Sequence, residues 1–385
     1  MIWVDDIVAA YHASLWREFK AFIAEYNTTY EINVLGPTVV FSGIQVERDR
    51  QAKTVKLHQT NYKRDMWTKF KDYVPSGLTA VTPVPYVKST SDSNHFENIS
   101  FAATDEERAK MKDLPFMSLY ASLLFNMCMT GPDVAYPLAN LGRYITDPSL
   151  AAWNALCRIL LFVHKHETDG ITYGGRISIP AFFMDASEYR RNPSLWNDSV
   201  IANLGLYILP DASWKVSRAF AGFAVMLGNA AVDWACKLVR VLAHSSMEME
   251  IAAGCFAGKR YMLIRSVINE IHSRRPSNVQ PALKLHITGP IIFCIDNSAT
   301  KDHTQDEGVK PKTEHFLRWQ YYLRWLVSMG YGVVFWVATK NQPVDFMTKI
   351  VDQTTFLRGR AVVMNIAFGH AMYIILDPSS SASSA

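Results

Sequence analysis

Cysteine is scarce and scattered in this sequence. Cys128, Cys157, Cys236, Cys255 and Cys294 are its five, with no Cys-x-x-Cys pair and no histidines at zinc spacing. That argues against a disulfide framework and a structural zinc site, and reduced thiols of this kind fit an intracellular protein. Long hydrophobic runs are also wanting. The longest, from Ala361 to Leu376, is interrupted by Asn365, Gly369 and His370 and is short for a membrane span, so it reads as a core or interface segment. No secretory leader is expected at the start, where Asp5 and Asp6 break the first apolar stretch. An excess of charge of one sign is missing too: 39 Lys and Arg face 35 Asp and Glu, a net +4. This excludes a strongly basic, histone-like binder but leaves room for a local basic groove. No internal repeat is present.

Apolar material is plentiful instead. Hydrophobic residues make up 49% of the 385 and charged residues 19%, enough for packed cores and unlike a disordered chain. The length corresponds to roughly two or three domains.

Along the chain, Met1 to Val8 reads as strand, acidic turn and strand, and a helix is predicted from Ala10 to Tyr26. Strand-like runs Thr38–Glu47 and Thr54–Leu57 flank a polar turn. Residues 75–115, rich in Pro, Ser, Thr and Asp, read as a loop or linker. Phe116 to His166 is helical in period, with breaks near Gly131-Pro132 and Asp147-Pro148. A polar stretch then runs to about Asn197. Three strands follow at Leu204–Pro210, Ala219–Leu227 and Ala231–Ala243. A long helix from Ser246 to His272 comes next, with Ala252, Phe256, Leu263, Val267 and Ile271 on one face. Strand Ile291–Ile295, a helix over Lys312–Met329, strand Val333–Ala338 and a short helical segment after Pro343 complete a mixed α/β sheet. Ser379 to Ala385 reads as a disordered Ser/Ala tail.

Four carboxylates occupy telling places. Asp211 ends the first strand of that block, Glu250 lies near the start of the long helix, Asp296 follows Ile291–Ile295 without a gap, and Asp345 opens the segment after Pro343. Taken singly, an Asp after a strand is usually a turn former and an Asp before a helix a cap. Brought together, four carboxylates repel unless cations lie between them. Magnesium suits an all-oxygen site, and two ions roughly 4 Å apart are the usual device for in-line phosphodiester cleavage. Glu248 has a sufficient structural task, since Ser245-Ser246-Met247-Glu248 matches a capping box. That favours Glu250 as the ligand.

These residues carry a family resemblance. Leu209-Pro210-Asp211-Ala212-Ser213-Trp214, Ser217 to Phe223, Ser245 to Ala253, Ile295-Asp296-Asn297-Ser298-Ala299, Lys312-Thr313-Glu314-His315 and Asn341 to Lys349 together resemble the RNase H domain of copia-type retrotransposon polyproteins. The first half is similar to the end of the adjoining reverse transcriptase. Trp3-Val4-Asp5-Asp6, Phe41 to Asp49, Leu57 to Tyr62, Tyr120 to Leu124, Thr130 to Tyr136 and Leu141 to Tyr144 carry that likeness in order.

The resemblance implies an RNase H-like mixed sheet over residues 196–355. Before it would stand a truncated palm and thumb (1–110) and a helical connection (111–195), with a C-terminal extension (356–385) after it. It implies that Asp211, Glu250, Asp296 and Asp345 hold two Mg2+, with Mn2+ as a possible substitute, and hydrolyse the RNA strand of an RNA/DNA hybrid. No small-molecule cofactor and no membrane partner are expected.

The departures matter as well. Trp3 replaces the family's Tyr, Gly131 its Arg, and the third polymerase Asp is absent upstream, so Asp5 and Asp6 are expected to hold metal only weakly. Polymerisation by this chain alone is therefore not expected, and a full-length Pol copy is a candidate partner. Lys215, Arg218, Lys237, Arg240 and Lys349 read either as phosphate contacts or as a solvated face. His315 reads as a local helix-start bond or a hybrid contact, and Lys340 as a phosphate contact. The competing reading is a catalytically silent remnant that acts as a nucleic-acid-binding or structural module.

Overall fold

The computed structural model describes residues 2–3, 6–7, 15–30, 33–34, 36–87, 96–174, 178–180, 206–214, 219–239, 245–273, 290–305, 317–366 and 373–375. Strands β1 (Ile2–Trp3) and β2 (Asp6–Ile7) pair antiparallel, as the strand–turn–strand reading expects, and α1 (Trp16–Thr29) follows. The run Thr38–Glu47, expected as one strand, is a hairpin. β3 (Val40–Phe41) turns at Ser42 and Gly43 into β4 (Ile44–Asp49). Both turn residues take positive φ, 50° and 78°, which suits the twist of a two-residue turn. So short a turn does not interrupt the apolar pattern, which is why the sequence conceals it.

β5 (Thr54–His58) and α2 (Thr60–Phe70) come next. The expected linker 75–115 contains α3 (Asp105–Lys112), entered through Thr104, whose hydroxyl accepts from the Glu107 N–H. The Glu107 carboxylate in turn accepts from the N–H groups of Ala103 and Leu150. The helix commits only Met111 to the core, so it carries almost no hydrophobic period to detect.

Helices α4 (Phe116–Met129), α5 (Ala135–Leu141) and α6 (Leu150–Lys165) fall between the expected breaks. β6 (Gly170–Gly174) then leaves the stretch expected as a polar connector and pairs with β5, giving a four-stranded sheet in the order β3-β4-β5-β6. β7 (Ser178–Pro180) follows.

The second sheet is built from β8 (Leu206–Ser213), β9 (Phe220–Leu227) and β10 (Ala230–Leu238), which meander antiparallel. After α7 (Ser246–Ser273), β11 (Ile291–Ile295) joins parallel to β8. After α8 (Ser298–Gln305) and α9 (Leu317–Ser328), β12 (Gly332–Trp336) joins parallel to β11. The order is β10-β9-β8-β11-β12, a mixed α/β sheet. α10 (Gln353–Met364) and β13 (Tyr373–Ile375), which pairs with β7, complete the chain. Neither α8 nor α10 was expected. α8 turns Thr300, His303 and Thr304 inward and so lacks an apolar stripe. α10 claims the first part of the expected apolar run and stops at Asn365, which is left-handed at φ 51°.

Both faces of the second sheet are covered, which is why its strands read as nearly continuous apolar runs. Leu206 and Ile208 of β8 join the core under α7 and α9, while Tyr207 and Leu209 join a larger core shared with α4, α5 and α6. That larger core crosses the expected boundary at residue 195. Trp234 Nε1 donates to the Met127 carbonyl at 2.9 Å, and the rings of Tyr136 and Phe220 meet edge to face at 5.2 Å.

The face expected on α7 is only partly the buried one. Ala252 is buried, but Leu263 and Val267 are 55% and 53% exposed. Gly254 and Gly258 instead admit Leu323 and Leu326 of α9 closely. At 28 residues the helix is about 42 Å long, whereas β10, the longest strand at nine residues, spans about 30 Å, so its end overruns the sheet.

α10 is pinned by charge. The buried Arg360 guanidinium donates to Asp133 Oδ2 and to Asp169 Oδ2, both at 2.7 Å. Lys63, also buried, donates to the carbonyls of Asp169 at 2.8 Å and His166 at 3.3 Å.

Candidate metal centre

Asp211, Glu250 and Asp296 converge. Each offers an oxygen, and the three oxygens lie within 4.8 Å of one another. The sheet topology brings this about. β8 and β11 run parallel side by side, and α7 crosses from the third strand to place Glu250 over their ends. Asp211, expected to end its strand, lies inside it. β8 continues to Ser213 on the β9 side, with Asp211 opposite Gly222.

On the other side β8 loses its partner. Its pairing with β11 covers Tyr207 with Ile292 and Ile208 with Phe293. Pro210 has no N–H to donate further along. Gln342, buried, bridges the gap: its Nε2 donates to the Pro210 carbonyl at 3.1 Å and to the Cys294 carbonyl at 3.3 Å. The crevice between the two strand ends is thereby held open at a fixed width, with Asp211 on one lip and Asp296 on the other.

Asp345 opens a single 3-10 turn, Asp345–Met347. It stands outside the group of three but is tied to it through Lys349, whose ammonium lies 2.9 Å from Asp345 Oδ1 and 3.7 Å from Asp211 Oδ1. The Thr348 hydroxyl donates to Asp211 Oδ2. A glycine is required opposite. A Cβ on Gly222 would lie 2.6 Å from the Thr348 methyl and 3.1 Å from the Met347 carbonyl, so a side chain there would push the turn off Asp211.

Glu250 is 5% exposed. Its Oε1 accepts from the Ala212 N–H at 3.2 Å, while its Oε2 is buried with no hydrogen-bond partner among the described residues. Burial, and then the charges of Asp211 and Asp296, push its carboxyl well above the usual range. Burial also raises Asp211, against the pull of Lys349. Burial and the Asp211 charge raise Asp296 to about 6 and Asp345 to about 7. Among the described residues, such carboxyls are short of positive charge, and the donor set is all oxygen, which suits a hard divalent cation. The residues present therefore fit a metal ion.

Ser245 caps α7 as expected, its hydroxyl accepting from the Glu248 N–H at 3.4 Å. Asp5, Lys215, Arg218, Arg240 and His315 lie outside the described residues, and of Asp6 only the strand backbone is described. Lys340 is exposed in the turn Thr339–Asn341, and its carbonyl accepts from Arg358. Lys237 stacks over the Phe256 ring at 5.6 Å. Gln342, Thr348 and Gly222 were not singled out from the sequence, although all three lie inside motifs already marked. Gly131 packs against Asn126, where a Cβ would come within 2.9 Å of Oδ1, so this backbone path leaves little room for a side chain.

Among known proteins, the chain is 21% identical over 361 residues to the retrovirus-related Pol polyprotein from transposon TNT 1-94 of Nicotiana tabacum, covering 92% of this chain and 23% of that one. It is 20% identical over 361 residues to the Pol polyprotein from transposon RE2 of Arabidopsis thaliana, again over 92% of this chain and 21% of the relative. A shorter likeness, 27% over 147 residues and 37% of this chain, is to secreted RxLR effector protein 161 of Plasmopara viticola. The chain thus spans less than a quarter of its transposon relatives. No family model and no solved structure matches it. Among the described residues no helix is long and apolar enough to cross a membrane.

Proposed function

Starting from a chain related over nearly its whole length to the retrovirus-related Pol polyproteins of copia-type transposons, we propose that residues 196–355 act as an RNase H-type nuclease. The substrate is an RNA/DNA hybrid, and the RNA strand is cut. Residues 1–110 and 111–195 correspond on this reading to the palm and thumb remnant and the helical connection, and 356–385 to an extension. A full-length Pol copy is a proposed partner.

The observation that carries the reading is the buried carboxylate group with its unpartnered Glu250 Oε2. An enclosed polar atom without a partner is costly, and a cation offsets that cost. Asp211, Glu250, Asp296 and Asp345 would hold Mg2+, with Mn2+ able to replace it. When bound, the ions lower the pKa of an attacking water and stabilise the leaving 3′-oxygen. The protein's own groups set the geometry. Gln342 holds the strand ends apart, Thr348 fixes the rotation of the Asp211 carboxylate, and Gly222 admits the turn that carries it. Strand choice would rest on the 2′-hydroxyls and hybrid shape rather than on sequence.

The test is cleavage of an end-labelled RNA/DNA hybrid in Mg2+. Asp296→Asn should lower the rate by about 100-fold or more, since even outer-shell partners of a metal are worth 10–100-fold. Hybrid binding without cleavage, in Mg2+ or Mn2+, would replace the nuclease with a silent binding module.

A further inference from the structure

Lys349 sits where a cation is needed. It extends from the turn that Asp345 opens, four residues on, and its ammonium is in contact with Asp345 and close to Asp211. Asp211, Glu250 and Asp296 form a compact group without Asp345, and it is Asp345 that the ammonium meets more closely. The two kinds of side chain also differ in freedom. The Lys349 side chain is 34% exposed, against 1% for Asp211 and 11% for Asp345. Its long flexible stem reaches solvent, so the amine has somewhere to go while the carboxylates do not.

We propose that Lys349 is a resident cation of this centre, holding the Asp345 and Asp211 side in place of one divalent ion. The metal-free chain then presents one ready site, at Asp211, Glu250 and Asp296. A second site, at Asp345 and Asp211, opens only when the ammonium withdraws. The ammonium occupies the Asp345 oxygen that a second divalent ion would need, so that ion has to displace it. The two ions therefore bind unequally, and the inequality resides in one side chain. The inference rests on the two-metal reading above and adds which ion is conditional and why.

Calorimetric titration of the full chain with Mn2+, without nucleic acid, tests it. The unaltered protein should bind one Mn2+ about tenfold or more tightly than a second, a gap of the size usual for coupled sites. Lys349→Met should tighten the second ion until the gap closes, and Lys349→Arg, which keeps the charge, should preserve it. Two equal ions in the unaltered protein, or a gap untouched by Lys349→Met, would overturn the inference and leave the two-metal reading standing. No Mn2+ bound by any of the three proteins would overturn both. Should Lys349→Met fail to fold, amine labelling of the unaltered protein read by mass spectrometry decides the matter. Lys349 should label slowly with no Mn2+ or one equivalent and faster at saturation, and a rate that ignores Mn2+ overturns the inference.

Discussion

Among the described residues, two carboxylates around Arg360, Asp133 and Asp169, meet a guanidinium and the nearby Lys63 ammonium, whereas around Lys349 four carboxylates meet a single ammonium. Both clusters are buried and both join distant parts of the chain. In the first, every charge has a short partner. Burial pushes the Asp169 carboxyl up, but the His166 hydrogen bond and the Arg360 charge outweigh it and hold it below the usual range. In the second, burial wins, and the carboxyls rise. A balanced cluster can do its work as it stands, tying α10 to the helices beside it. An unbalanced one is incomplete until something positive enters. For the carboxyls, the sign of the departure, and not burial as such, separates the two clusters.

Breaking the balanced cluster should have the larger cost. Arg360→Met leaves Asp133 and Asp169 without their guanidinium and should destabilise the protein by about 3–5 kcal/mol in urea unfolding, the range for orphaning a buried pair. Gln342→Leu comes next. It leaves the carbonyls of Pro210 and Cys294 without their shared donor and should cost about 1–3 kcal/mol, with weaker Mn2+ binding because the crevice width is no longer fixed.

In the unbalanced cluster the sign should invert. Glu250→Gln removes a charge that burial disfavours and should raise the melting temperature of the metal-free protein while weakening Mn2+ binding. A fall in melting temperature would mean that the cluster is structural after all.

The last contrast between the two clusters is in pH dependence. Asp296 and Asp345 titrate near 6 and 7 when folded but from ordinary values of 3.8 when unfolded. The folded state then binds more protons, so the stability from these groups is complete below about pH 4 and is lost as pH rises through 6 and 7. Without metal the melting temperature should fall between about pH 4 and about pH 7, and saturating Mg2+ should abolish that slope. The Arg360 cluster, whose Asp169 is shifted the other way, contributes no such loss in that window.

Much of this was legible in one dimension. The strands and helix start that carry or precede Asp211, Glu250 and Asp296 follow from apolar runs and a capping serine, because period and caps are local properties. What escaped was also local in cause. α3 sends one side chain to the core, the Ser42-Gly43 turn is too short to break a pattern, and α7 continues past the sheet that would have buried its second half.

The sequence by itself determined the inventory: four carboxylates of the right type in or beside strand and helix ends, apolar strands able to be buried on both faces, and a charge balance too even for a bulk basic binder. Only the tertiary structure decided that three of those carboxylates share a space, that Lys349 stands among them, and that Gln342 keeps two strands apart. It also decided that Asp133 and Arg360, 227 positions apart, would cancel each other. The reason is that charge acts through distance and burial. Residue types are fixed along the chain, but which charges lie within a few ångströms, and with how little water between them, exists only once the sheet has closed.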